Sequence, residues 1–360
     1  MAELDQLNVA TRRSIRSKPA LVDNVFQSDP LAAYLKNNVR EDFTGGTLIQ
    51  LGFLYDGMIG GAYAKGKEFD ITEKQIEQAI QLNMKFLEVN VTLSKEDIQV
   101  LNKGPQAVFS LLDSRMTSAY MTMGAFFAIG LYLNGQRAGY TAIVNGLAEA
   151  LNDNTTASWD GSTYSTYGGI TRGGAVGTAL NSAPTNVAGT IEYNTLEETY
   201  MAASFGAAPG LQPNLGVTTA LGYSYIKEKF QTQQRFNDTQ DPNIGFNGLK
   251  FNQATIIMSR YAPGSYISAS GDVNAVTFLE QSSNGVLAAY PTVTSETLWW
   301  INARKEYICL YVSNDPEFGF GFTGFKPAQG NTKVAGQVLA AVQIAVPSPR
   351  MHRQLYGITG

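Results

Sequence analysis

The sequence predicts an α+β protein whose helices and strands are segregated along the chain. Two observations carry this reading. Residues 105–133 hold one long amphipathic helix, and residues 246–360 read as a succession of strands. A third observation, two strand-like segments separated by a polar excursion within residues 43–100, predicts a hairpin that projects from the body. The order of arm, hairpin, long helix, mixed region and strands does not alternate as β-α-β units would.

Residues 1–42 read as an arm with little core of its own. Asp29-Pro30 starts a short helix, with an N-cap residue followed by Pro at the first helical position. Leu31, Tyr34 and Leu35 form its apolar side, and Asn37 and Asn38 can end it. Leu48 to Tyr55 is extended, and Phe86 to Leu93 alternates with Leu87, Val89, Val91 and Leu93 on one face. Between these two strands, which are expected to form the hairpin, lie the glycine-rich stretch Gly57 to Lys67 and a helix expected from Thr72 to Met84, with Ile76, Ala79, Ile80 and Met84 on one side. Such a protrusion buries little within its own chain and needs a neighbour to cover it.

The long helix opens at Gly104-Pro105 and closes at Asn134-Gly135. Val108, Leu111, Leu112, Met116, Ala119, Met123, Phe126 and Phe127 recur at three and four. It should be roughly 40 Å long. Met116–Leu133 carries no charge, but Thr117, Ser118, Thr122 and two glycines interrupt it, so a core helix rather than a membrane span is expected. Helices are then expected over Thr141–Leu151, Thr195–Phe205 (Leu196, Tyr200 and Met201 inward) and Thr218–Phe230, with loops and short strands over Asn152–Ala188. Strands are expected at Ala254–Met258, Leu298–Ile301, Tyr307–Val312, Phe318–Phe322 and Val338–Val346.

The chemistry that the sequence excludes is as informative as its periodicities. Charged residues are only 16% of the chain, and the net charge is −4. A weakly charged, polar, glycine-rich surface suits repeated protein contact. The basic cluster Arg12, Arg13, Arg16 and Lys18 reads as a solvated part of the arm, or as an arm facing nucleic acid or a partner. One cysteine, Cys309, allows no intrachain disulfide, and the single histidine is His352. Cys309 lies in an apolar run and reads as a buried small hydrophobe. No catalytic, cofactor-binding or metal-binding residue is assigned. Gly61 to Glu68 resembles a phosphate-binding loop but has Glu68 where a Ser or Thr must hold the metal. Gly319 to Gly324 has dinucleotide-fingerprint letters, yet Phe325-Lys326-Pro327 follows where a helix should begin. Glu197-Glu198 reads as a helix start, and Glu192, Asp238 and Asp241 as loop acids without calcium-loop spacing. The first twenty residues hold no apolar stretch, so no signal peptide is expected.

The order of segments resembles the HK97-like major capsid proteins of tailed phages. Phe43-Thr44-Gly45-Gly46-Thr47-Leu48-Ile49-Gln50, then Phe53 and Tyr55, is similar to the entry of that family's extended E-loop. Phe86 to Gly104 followed by the long helix resembles its return strand and spine helix. Asn247-Gly248-Leu249 followed by Ala254–Met258 resembles the strand returning from the axial domain. Pro347 to His352 followed by Leu355-Tyr356-Gly357 resembles the last strand and tail.

The resemblance implies an N-terminal arm (1–42), an E-loop region (43–100), a peripheral domain (101–139 and 246–360, with spine helix 105–133) and an axial domain (140–245). It implies a non-enzymatic subunit without cofactors that forms hexamers and pentamers in an icosahedral shell. The E-loop would lie over a neighbouring subunit. Lys65 and Lys67 fall at the E-loop tip, with no basis for a crosslink. Implied partners are a separate scaffolding protein, since about forty residues precede the E-loop, a portal, a decoration protein and packaged double-stranded DNA contacted without sequence preference. The implied location is the virion, assembled in the host cytoplasm. The alternatives are an encapsulin-like nanocompartment shell, an enzyme with a dispersed carboxylate pair and a membrane protein.

Overall fold

Aspartate before proline is a strong helix start, and here it acts as one. The Asp29 carboxylate accepts the N–H of Ala32 at 3.0 Å and caps helix α1 (Pro30–Asn38). The computed structural model describes residues 29–66, 68–69, 71–95, 105–136, 142–231, 238–240, 247–265, 278–279, 287–288, 293–327 and 332–360. After α1 come β1 (Arg40–Phe43), β2 (Leu48–Leu54), β3 (Glu77–Asn83), β4 (Lys85–Ser94) and the long α2 (Pro105–Gly130). A mixed region follows: α3 (Leu147–Ala150), β5 (Thr166–Tyr167), β6 (Ile170–Thr171), α4 (Ala175–Thr178), β7 (Thr185–Thr190), α5 (Tyr193–Ala202), β8 (Leu215–Thr218) and α6 (Ala220–Gln231). The rest is strands: β9 (Asp238–Gln240), β10 (Asn247–Phe251), β11 (Ala254–Met258), β12 (Phe278–Leu279), β13 (Leu287–Ala288), β14 (Glu296–Ile301), β15 (Cys309–Ser313), β16 (Gly319–Phe322), β17 (Lys326–Pro327), β18 (Lys333–Ala345) and β19 (Arg353–Thr359).

Two sheets organise these elements. In the first, β18 is the hub: β4, β15, β16 and β17 all pair with it, and β1 joins in parallel beside β15. Helix α2 packs on this sheet, with Met116, Met123 and Phe127 sharing a core with Val91 and Leu93 of β4 and Val338 of β18. The second sheet runs β7-β19-β14-β8-β11-β10-β9. Its centre, Glu296–Ile301, is buried at every position. Strand alternation sends Trp299 to the face with Tyr132, and Trp300 to the opposite face against Tyr200 and Phe251. Burying one such side chain contributes about 1.5–3 kcal/mol. This sheet takes β7, β8 and β9 from residues 140–245 and the others from 246–360.

Several expectations are corrected. No helix spans Thr72–Met84. Instead Glu77–Asn83 is β3, which pairs with β2 in register Leu48↔Asn83 to Leu54↔Glu77. Ile80 fits a helical stripe in sequence, but with Leu82 it also fits a strand face, and pairing with Ile49 and Leu51 decides. The segment Phe86–Leu93 is therefore not the second strand of the hairpin. As part of β4 it pairs with β18. Residues 30–42, counted with the arm, pack into the body: Leu31, Leu35 and Val39 are fully buried. Of the helix expected over Thr141–Leu151 only Leu147–Ala150 forms. Glu197 and Glu198 lie past the first turn of α5, Met201 points to solvent and Asp238 opens β9.

The end of α2 explains one of these differences, the short α3. Tyr132 and Leu133 continue with i→i−3 bonds, and the carbonyl of Leu131 takes the N–H of Leu147 at 2.7 Å. Gly146 lies so close to the carbonyls of Gly130, Leu131 and Leu133 that a Cβ would collide with all three. The chain thus crosses the helix end in extended form, and α3 starts only beyond it. Arg172 fixes the next turn. Its buried guanidinium donates to the carbonyls of Glu149, Ala150, Asn152 and Leu180. Burial lowers its pKa to about 10.

The Gly319–Phe322 stretch is a bulged strand, not a nucleotide loop. The register slips between Gly319 and Gly321, and Phe320 sits at φ 63 with its ring against Phe127. A Cβ on Gly321 would run into the carbonyl of Pro316 and the Cα of Glu317, both backbone atoms. Gly321→Ala is therefore expected to destabilise by about 2 kcal/mol or more, whereas Gly60→Ala, with open space around it, changes stability by less than about 0.5 kcal/mol. Denaturant unfolding of both variants checks the contrast.

Candidate assembly surface

The β2–β3 hairpin is built to project. Its base is apolar: Ile49 faces Leu82 and Leu51 faces Ile80 across the ladder, and Ile49, Ile80 and Leu82 are buried. Beyond the ladder the strands stay together through Tyr55, whose N–H reaches the carbonyl of Ile76 at 3.0 Å and whose hydroxyl reaches that of Gln75 at 2.6 Å. Lys74 then pairs with Asp56 at 2.6 Å and holds its carboxyl below the usual range.

Past that clamp the described residues to 76 form no strand, and their apolar side chains face solvent. Ile71 is 93% exposed and Met58 73%, and Ile59, Tyr63 and Phe69 are also exposed. Tyr63 and Phe69 meet edge to face at 4.9 Å. Single exposed apolar residues are ordinary, but a run of them on a projection is the mark of an interaction surface. A second exposed apolar pair, Phe86 and Phe318, lies on the first sheet with ring centroids 6.0 Å apart.

Among the described residues, the sequence motifs that suggested chemistry are not assembled into a site. Gly61 to Gly66 and Glu68 precede no helix, and Lys67 lies outside the described residues, as do Arg12, Arg13, Arg16, Lys18 and Asp241. Lys65 is at the tip and exposed. Glu192 pairs loosely with Lys229 at 3.6 Å. Cys309 is buried at the start of β15, donates to the carbonyl of Lys305, and has its thiol pushed up to about 11 by burial. It is no nucleophile in this setting. Among the described residues no group of three His, Cys, Asp or Glu is placed to hold a metal, and no helix is long and apolar enough to cross a membrane.

His352 is wholly buried and fully used. Its Nδ1 accepts the N–H of Asn302 at 3.1 Å, which puts the proton on Nε2 facing the carbonyl of Tyr307 at 3.2 Å. Both ring nitrogens thus serve the fold as a neutral imidazole.

The sequence matches no family model and no curated protein. Solved structures do match. A chain of the cyanophage A-1(L) capsid aligns with TM-score 0.59 at 11% identity, over 92% of this chain and 93% of that one. The capsid of a native GTA particle aligns with TM-score 0.53 at 10% identity, over 91% and 90%. The encapsulin of the holo-SrpI complex from Synechococcus elongatus PCC 7942 aligns with TM-score 0.50 at 10% identity, over 90% and 86%. The fold is HK97-like. In the terms of that fold, β2–β3 with its tip is the E-loop and α2 is the spine helix. The E-loop boundary strand and the spine helix were legible in sequence; the exposed Phe86–Phe318 pair was not, because it joins residues far apart in the chain.

Two buried groups give the fold an acid-side signature. Burial lowers His352 to about 4, so its contribution is complete above its unfolded value near 6.5 and is lost as pH falls towards 4. Burial raises Asp29 to about 6, despite its bonds to Ser259 and Ala32, so its contribution is complete below 3.8 and is lost as pH rises through 6. Each amounts to about 3 kcal/mol at most, and they oppose each other between pH 4 and 6.5. Asp29→Asn removes one of the pair. The melting temperature of that variant is expected to fall more steeply than the parent's on acidification from pH 6.5 to 4; parallel curves would contradict the assignment.

Proposed function

We propose that this chain is the major capsid protein of a tailed phage, a subunit that assembles as hexamers and pentamers into the icosahedral shell enclosing the genome. One observation carries the proposal: an HK97-like fold displays a projecting E-loop whose apolar tip no described residue of its own chain covers. In a lattice the tip is buried by a neighbour, and exposed area becomes association energy. We further propose that residues 140–245 surround the local symmetry axes and that the N-terminal arm serves contacts with other subunits. A separate scaffolding protein, a portal, a decoration protein and non-specifically held double-stranded DNA complete the set of partners, and the role is structural rather than catalytic.

Electron microscopy of the purified protein, alone and co-expressed with its neighbouring genes, tests this. Closed shells, tubes or sheets of hexamers are expected. Uniformly small particles under both conditions would end the shell reading, and shells filled by a co-encoded enzyme would move the assignment to an encapsulin-like nanocompartment. A point variant sharpens the test. Ile71→Ser and Phe69→Ser leave monomer stability within about 0.5 kcal/mol, because neither side chain is buried. They are nevertheless expected to raise the concentration at which light scattering reports assembly by roughly tenfold or more.

A further inference from the structure

The E-loop is tied to the body by a circuit of hydrogen bonds that begins and ends on β3. The main-chain carbonyl of Asn83 accepts from Nε2 of Gln343 at 2.7 Å. Gln343, fully buried in β18, also donates to Oδ1 of Asn145 at 2.7 Å and accepts the N–H groups of Asn145 and Ile344 at 3.0 and 3.1 Å. The Asn145 amide reaches both oxygens of Glu149, at 2.8 and 3.1 Å. Glu149 then accepts the N–H of Gly135, just past the spine helix, at 3.0 Å, and Nε2 of Gln136 at 2.7 Å. Gln136 continues to Thr166, donating to its carbonyl at 2.8 Å and accepting its hydroxyl at 3.2 Å. Thr166 opens the β5–β6 turn, and the carbonyl of Gly168 in that turn accepts the N–H of Gln81 at 2.9 Å. The path returns to β3 two residues from where it started.

The turn is shaped for this contact. Gly168 and Gly169 both have positive φ, 56° and 79°, which a two-residue hairpin turn of the primed type requires. A Cβ on Gly168 would stand 2.7 Å from Cβ of Ile80, so the bare backbone of the turn rests on the hairpin. The circuit crosses the interior at Gln343, Asn145 and Glu149, all buried. A partly broken buried network leaves polar groups without partners, which favours an all-or-none arrangement.

We infer that this circuit sets the direction of the E-loop and locks it to the 166–171 turn, so that hairpin and turn move as one body. Gln136, Asn145, Glu149 and Gln343 are then positioning residues for a tip that none of them touches. The consequence for a shell, a displacement at the turn being passed to the E-loop, rests on the capsid reading above; the lock itself does not.

Amide hydrogen exchange on the full-length chain tests the lock. Gln136→Ala cuts the path at an exposed side chain without opening a core cavity, and exchange across residues 78–83 is expected to quicken about tenfold, with residues 296–301 of β14 unchanged. Gly168→Ala is expected to have the same local effect. The double variant should exceed the larger single effect by little, because one circuit can be cut only once. Unchanged protection at 78–83 in Gln136→Ala, equal acceleration in β14, or fully additive single effects would each overturn the inference. Exchange is read on the chain whether or not shells form, so a failure to assemble counts against the capsid reading alone.

Discussion

Ten residue pairs between β4 and β18, Lys85↔Val342 through Ser94↔Lys333, are the joint on which the rest of the molecule depends. They bring residues about 250 apart in the chain side by side. The hairpin and the spine helix are both positioned by this ladder. Strand β3 ends two residues before β4 begins, so the root of the hairpin is pinned at Asn83–Lys85. The spine helix follows β4 and lies back across it. A ladder of such high sequence separation forms late and slowly in folding, so the hairpin takes its direction only once the C-terminal strands are in place.

The second sheet solves a different problem. A chain of 360 residues that keeps an apolar projection outside its core must gather its remaining apolar surface efficiently. It does so with strands buried on both faces. Leu215, Val217, Trp299 and Ile301 serve the core shared with the spine helix, while Ile256, Leu298, Trp300 and Leu355 serve the one under α5 and α6. At Gly216, a Cβ would lie 2.8 Å from the Trp300 ring, so the missing side chain makes room for the tryptophan. Two cores divided by one wall are rigid because neither can shift without moving the other.

Local patterning made some of this legible from sequence and left the rest out of reach. The Asp29-Pro30 cap, the spine helix and the strands expected at 254–258, 298–301, 307–312, 318–322 and 338–346 follow from capping chemistry, periodicity or apolar runs within a few residues, and each expected strand overlaps an observed one, the last of which starts five residues earlier at Lys333. The hairpin was recognised, but its second strand was misplaced by nine residues. Ile76, Ala79, Ile80 and Met84 satisfy a helical spacing, and only the pairing with β2 shows that Ile80 and Leu82 share a strand face. Helix Thr141–Leu151 is cut short for a similar reason: the close approach of Gly146 to the end of another helix is a tertiary fact. The exposed tip was legible as a projection lacking its own cover. The circuit beneath it was not, since Gln343, Asn145, Gln136 and Thr166 are unremarkable polar residues until the fold brings them together.

An apolar projection is also a hazard, and the design of this one limits the ways it can associate. Open strand edges invite pairing with any other edge. Here the ladder ends at Leu54↔Glu77, and Lys74–Asp56 closes it with a charge pair. Beyond that point the apolar side chains sit on described residues that form no strand, so they present no ladder of N–H and C=O groups for another chain to extend. Burial of Met58, Tyr63, Phe69 and Ile71 therefore requires a complementary surface rather than a mere edge. A contact made by side chains on a rigidly aimed hairpin has one orientation, and repeated head-to-tail it closes into a ring when that orientation permits. With the root of the hairpin bonded at Gln81 and Asn83, the aim inferred above for the tip disfavours irregular aggregation, because it narrows the neighbours that the tip can meet.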